Sequence, residues 1–141
     1  MRASFISLLI LSSLILSISC KEEKTGKNPS RMEEVVAIHD MVMPEMKTIG
    51  QLVSELQPLV DSTATGQEYA RALDDLKAAH KSMMDWMSGF GERFNSEEIF
   101  EGKALSEQKQ QWLLEEEVKV RAMQEQVNSS IEQARALLKK N

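Results

Sequence analysis

Apolar residues recur at alternating steps of three and four along three long stretches of this chain, and no stretch shows the single alternation that a strand needs. The first stripe is Met32, Val35, His39, Val42, Met46, Ile49, Val53, Leu56 and Val60. It predicts a helix over 31–61, opened by a capping box in which Ser30 and Glu33 satisfy each other's backbone N–H groups. Pro44 lies inside it and removes one backbone hydrogen bond, at about 3 kcal/mol in a helix interior. The stripe keeps its phase across Pro44, so the expectation is one kinked helix. Pro58 falls near the end, where it costs less.

The second stripe is Tyr69, Leu73, Leu76, His80, Met83, Met87 and Phe90, which predicts a helix over 67–88. Thr65 and Glu68 offer its capping box, and Gly89 and Gly91 offer a stop. Residues 92–105 are irregular, with one short helical turn opened by Asn95 or Ser96 before Glu97 and Glu98. Ser106 caps a last helix over 107–139, whose stripe is Leu113, Val120, Val127, Ile131, Ala134 and Leu138, with Met123 on the flank. Glu117 falls on that seam and weakens it. The run Glu115, Glu116, Glu117 reads as a solvated face.

Three amphipathic helices with short connections predict an all-α, up-down-up, three-helix antiparallel bundle over 30–141. At 1.5 Å per residue the helices would span roughly 46, 33 and 50 Å, long for so small a domain.

The first thirty residues carry an address. A basic start at Arg2, an apolar run over 5–18 and small residues before Cys20 have the layout of a secretory signal peptide. The run is too short to span a membrane comfortably. Cys20 is the lone cysteine, so no internal disulfide is available. Leu16-Ser17-Ile18-Ser19-Cys20 resembles a relaxed bacterial lipobox of the kind common in Bacteroidetes, with Leu one place farther from the cysteine than in the strict form. The resemblance implies a lipoprotein signal peptide over 1–19, an acylated Cys20 and a polar tether over 20–29. Several acyl chains, at about 0.8 kcal/mol per buried CH₂, would hold the protein at a membrane almost permanently. Lys21-Glu22-Glu23 is similar to the lysine-plus-acidic signal that sends Bacteroidetes lipoproteins to the outer face of the outer membrane; the alternative is its periplasmic face. Asp61-Ser62-Thr63 resembles the short O-glycosylation motif of the same exported proteins, with Ser62 as the acceptor.

Charge narrows the partners. The chain has 17 basic and 22 acidic side chains, net −5, and loss of a leader holding Arg2 makes it more acidic by one. Phosphate binding needs a basic patch, so nucleic acid is not an expected partner. No Gly-rich phosphate loop, Cys/His pairing or glycine elbow around a serine occurs, which argues against an enzyme. Asp40 and Asp85 lie near the histidines and would mark the place of any polar cleft.

One chemical feature remains. The only two histidines, His39 and His80, are each followed by methionines four and seven residues on: Met43 and Met46, then Met84 and Met87. Those positions share one helix face. Folded as an antiparallel hairpin about residue 63, the two helices set His39 level with Met87, Met43 with Met84 and Met46 with His80. Imidazole with thioethers suits Cu(I) or Ag(I), and Trp86 would cover such an ion through its ring face. Methionine also fills ordinary helical cores, the commoner use of such a stripe.

The segments V-A-I-H-D-M-V-M-P-E-M and A-H-K-S-M-M-D-W-M resemble short Bacteroidetes lipoproteins often labelled "viral A-type inclusion protein", over residues 32–138. The resemblance implies the address and a helical form, with no established activity and no viral role. The expected role is a membrane-anchored, surface-exposed, non-enzymatic interaction or envelope-associated module. It has an unnamed protein partner or self-associates through 113–138. The alternative is a soft-metal binder using His39, Met43, Met46, His80, Met84 and Met87.

Overall fold

The structure, a computed structural model, describes residues 30–139. The leader 1–19, Cys20 and the export signal Lys21, Glu22 and Glu23 lie outside the described residues. Among the described residues there are helices and no strand: α1 (Arg31–Val42), α2 (Glu45–Leu56), α3 (Ala64–Arg93), α4 (Ser96–Phe100) and α5 (Glu107–Leu138). A single 3-10 turn at Gln57–Leu59 follows α2.

The caps explain most boundaries. Ser30 Oγ accepts from the Glu33 N–H at 3.3 Å and the Glu33 carboxylate accepts from the Ser30 N–H, which completes the expected box. At Pro44 the backbone stays right-handed helical, with φ −53° and ψ −40° at Met43 and φ −61° and ψ −27° at Pro44. Only the hydrogen bonding changes. Met46 N–H turns to Met43 O and Lys47 N–H to Pro44 O, both at 3.2 Å, one residue nearer than an α-helix would place them. So the stretch expected as one kinked helix is divided at Pro44 into two hydrogen-bonded helices, α1 and α2. α2 ends at Leu56 and the 3-10 turn, short of the expected 61, and Val60 is extended and exposed.

The second long helix starts earlier and stops later than its sequence signals. Thr63, not Thr65, is the N-cap: its hydroxyl accepts from the Gly66 N–H at 3.0 Å, while Asp61 Oδ1 accepts from the Thr63 N–H at 2.9 Å. Gly89 and Gly91 do not end α3, which continues to Arg93 because Phe90 between them and Phe94 beyond them are buried. Core packing outweighs a glycine cost of about 1 kcal/mol each. Asn95 and Glu98 form a capping box that starts α4, and Gly102, at φ +71°, ends it. Ser106 caps α5 as expected, its hydroxyl accepting from the Lys109 N–H at 3.3 Å.

α3 runs antiparallel along α5. Its first turns, at Glu68 and Arg71, share a groove with Gln133 and Ala136, and its last residue, Arg93, meets Glu115. α2 approaches both α3 and α5 closely, whereas α1 makes its close approach to α5. The core between them takes Val35 and Val42 from α1, Leu52 and Leu56 from α2, Leu76 and Met83 from α3, and Val120 and Val127 from α5.

The α3 stripe departs from its expected positions at His80 and Met87, while on α5 the expected apolar positions from Leu113 to Ala134 are buried and the departure is one acid. On α3 the buried positions after Leu76 are Ala79, Met83 and Trp86, so His80 and Met87 fall on the shoulder. On α5 the buried acid is Glu116, and the triple-glutamate run is not a solvated face. Glu116 meets Arg93 at 3.1 Å and Lys119 at 2.8 Å, and Glu117 meets Arg31 and Arg121, both at 2.9 Å.

Candidate functional site

α1 makes its close approach to α5, and on the side of α3 it meets bulky rings from α3 and its C-cap. Trp86, Phe90 and Phe94 recur every four residues and so point the same way. Trp86 and Phe90 stack with centroids 4.7 Å apart and planes at 24°; Phe90 and Phe94 lie 4.9 Å apart at 44°. His39 of α1 heads the ladder, 5.5 Å from Trp86 at 26°. Offset stacking of this kind adds about 0.5–1.5 kcal/mol per pair beyond the area it buries.

Space remains beside the rings. A cavity of about 250 Å³ lies between α1, α3 and α4, walled by Val36, His39, Met87, Phe90, Ile99 and Phe100. Gly91 lies on its wall too. Phe100 stands at this cavity, 77% exposed.

The polar atoms here are few and specific. Asp40 Oδ1 lies 3.0 Å from His39 Nδ1. A carboxylate only accepts, so in the neutral ring Nδ1 carries the proton and Nε2 keeps its lone pair. His39 Nε2 is buried and has no hydrogen-bond partner, and the same holds for Trp86 Nε1. Such atoms are uncommon in folded proteins and each calls for a reason.

The six expected His and Met positions separate by depth. The His39 side chain is 18% exposed and Met46 is half-buried. Met43, Met84 and Met87 are 39%, 37% and 38% exposed, and His80 lies on the open surface. His39 and Met87 come together on the wall of the cavity; Met43, Met46, His80 and Met84 do not line it. Among the described residues no three His, Cys, Asp or Glu side chains converge as a metal site. Ser62 is exposed in the turn before α3, where its neighbours Asp61 and Thr63 are engaged in capping.

A second groove, about 490 Å³, runs between α3 and α5 on the far side of Trp86, past Asp85. Its charges are already paired, Lys81 with Asp85 and Lys119 with Glu116. The ring ladder was legible as an i, i+4, i+8 spacing, but its partner His39 was not, because the contact joins residues far apart in sequence.

Comparison of the chain with protein-family models, with curated proteins and with solved structures gives no match. No helix among the described residues is long and apolar enough to cross a membrane.

Proposed function

We propose that this chain is a lipid-tethered, non-enzymatic helical module of the bacterial outer membrane, facing the cell surface. In this reading three helical rods run up, down and up from the acylated Cys20, and the edge between α1 and α3 meets a protein partner in the envelope. The observation that carries it is the exposure of Met43, Met84 and Met87, each above a third, together with Phe100, 77% exposed at an apolar cavity that Met87 also lines. Thioethers on a surface adapt to a partner's shape, and clustered exposed apolar side chains are characteristic of interaction surfaces. The sequence around Cys20 and Lys21-Glu22-Glu23 supports the anchor and the surface address.

The test is site-specific photo-crosslinking in whole cells. A benzophenone side chain at Met84 should give one discrete adduct, and the same probe at Glu125, exposed on α5, should give none. Equal labelling from both places, or none from Met84, removes the reading. An adduct of twice the chain mass would identify the partner as a second copy. Cys20→Ser should move the protein from the membrane fraction to the soluble fraction; retention in the membrane fraction would remove the lipid anchor.

A further inference from the structure

We propose that His39 and Met87, which share the cavity beside Trp86, and Met43, one helical turn from His39, form one binding site for a monovalent soft cation, Cu(I) or Ag(I). The site needs no second protein, and its two methionines, Met43 and Met87, lie on the edge that the partner reading also uses.

His39 Nε2 is buried, and no hydrogen bond replaces the one that water would make to it. Asp40 holds the other ring nitrogen at 3.0 Å, which fixes the tautomer with the lone pair on Nε2. A carboxylate behind a histidine is the arrangement that orients imidazole as a metal ligand and raises its basicity. Met43 stands one helical turn beyond His39. The turn is intact, since the Met43 N–H donates to His39 O at 2.8 Å, so both side chains share a face. Met87 lines the same cavity as His39, and the Trp86 ring stacks on the imidazole at 5.5 Å.

The donor set then selects the ion. One imidazole and two thioethers are soft ligands, suited to Cu(I), and no carboxylate or thiolate cluster among the described residues competes for a harder ion. Met43 and Met87 are partly exposed, so their flexible side chains are able to close on an ion without repacking the core.

The same geometry sets His80 aside. It is exposed, and it precedes Met87 by seven residues, roughly 10 Å along the helix axis. The six candidate ligands therefore yield one site and one ion.

The experiment uses the full chain in detergent, with Cys20→Ser so that no thiol competes and Trp112→Phe so that emission reports Trp86. Ag(I) is titrated as a redox-inert probe, and Cu(I) under reductant against a chromogenic Cu(I) chelator. One ion per chain is expected, with Trp86 emission changing to an end point at that ratio. His39→Phe, which keeps a ring against Trp86, and Met87→Leu should each weaken binding at least about tenfold. Asp40→Asn should weaken it about 10–100-fold, as loss of an outer-shell partner does. His80→Ala should leave affinity within about twofold, a control for the ligand assignment. Should His39→Phe lose the helical circular dichroism of its parent, Met87→Leu carries the test. Failure to compete with the chelator, two ions per chain, or an effect of His80→Ala equal to that of Met87→Leu overturns the proposal.

Discussion

Arg93, the last residue of α3, lies 3.1 Å from Glu116 of α5, a carboxylate only 2% exposed. The same guanidinium meets Glu115 at 2.6 Å and lies over the Trp112 ring at 5.4 Å. Breaking a buried pair leaves an uncompensated charge in a poor solvent. Arg93→Ala should therefore cost about 2–3 kcal/mol, below the usual 3–5 because Lys119 still reaches Glu116. Glu116→Met asks the converse question. It removes the buried charge and fills the space, and it leaves Arg93 with Glu115 and Lys119 in water. Its stability should equal that of the parent or exceed it by about 1–2 kcal/mol. Urea midpoints at constant slope decide both. A large loss in Glu116→Met would show that the acid contributes net stability.

Two glycines of α3 should respond to alanine with opposite signs. A Cβ on Gly66 would fall 1.9 Å from Asp61 Oδ1 and 2.6 Å from Asp61 N, and the second contact is with backbone that cannot swing away. Gly66→Ala should destabilise by about 1–3 kcal/mol, the range for overpacking. Nothing lies within 4 Å of a Cβ on Gly89, in the helix interior. Gly89→Ala should stabilise by about 0.5–1 kcal/mol. Thermal melts of the two variants are the check, and equal signs would contradict the placement of the turn before α3.

The helical stretches, the interrupted hydrogen bonding at Pro44 and three of the caps could be read from residue order alone, because caps and stripes are local chemistry. The depth of particular side chains could not. On α3 the stripe fits two phases, and the choice between His80 with Met87 and Ala79 with Trp86 depends on the directions of α2 and α5 together. Ala79 lets backbones approach, and Trp86 packs its ring against His39 of α1. Glu116 was hidden for a similar reason. A run of three acids reads as solvated until Arg31 and Arg93 arrive from other helices. In the candidate site, the His–Met offsets were visible, and the free nitrogen on His39 was not, because it follows from an aromatic stack across helices.

Pro44 is exposed and already helical in torsion, so Pro44→Ala introduces an amide without changing the local backbone. That amide is able to donate to Asp40 O and restore the missing α-type bond. One hydrogen bond is worth about 0.5–1.5 kcal/mol net, while loss of proline's restriction on the unfolded chain costs about 0.4–1 kcal/mol. The two nearly cancel, so stability should stay within about 1 kcal/mol of the parent. If α1 and α2 merge into one helix, α1 moves relative to Trp86, and near-ultraviolet circular dichroism should change while the far-ultraviolet spectrum does not. Unchanged near-ultraviolet signals would mean that helix packing, not proline, sets how α1 and α2 join.

Acid should unfold this protein through a small set of carboxylates. Hydrogen bonds from the Thr63 hydroxyl, then its N–H, hold Asp61 below its ordinary value of 3.8. The Lys109 ammonium, then the Asn95 N–H, hold Glu98 below 4.5, and Arg121, with Arg31, does the same for Glu117. Each group is more acidic folded than unfolded, so the unfolded chain binds its proton first as pH falls. The stabilisation is complete above the ordinary values, and it disappears as pH falls through 4.5 and 3.8 and on to the lower folded values. Urea midpoints should be flat with respect to these groups from neutral pH down to about 5.5 and drop below that. Lys109→Met removes the largest cause of the Glu98 shift, and its midpoint should depend less steeply on pH in the acid range. A parallel slope would mean that Glu98 titrates alike in both states.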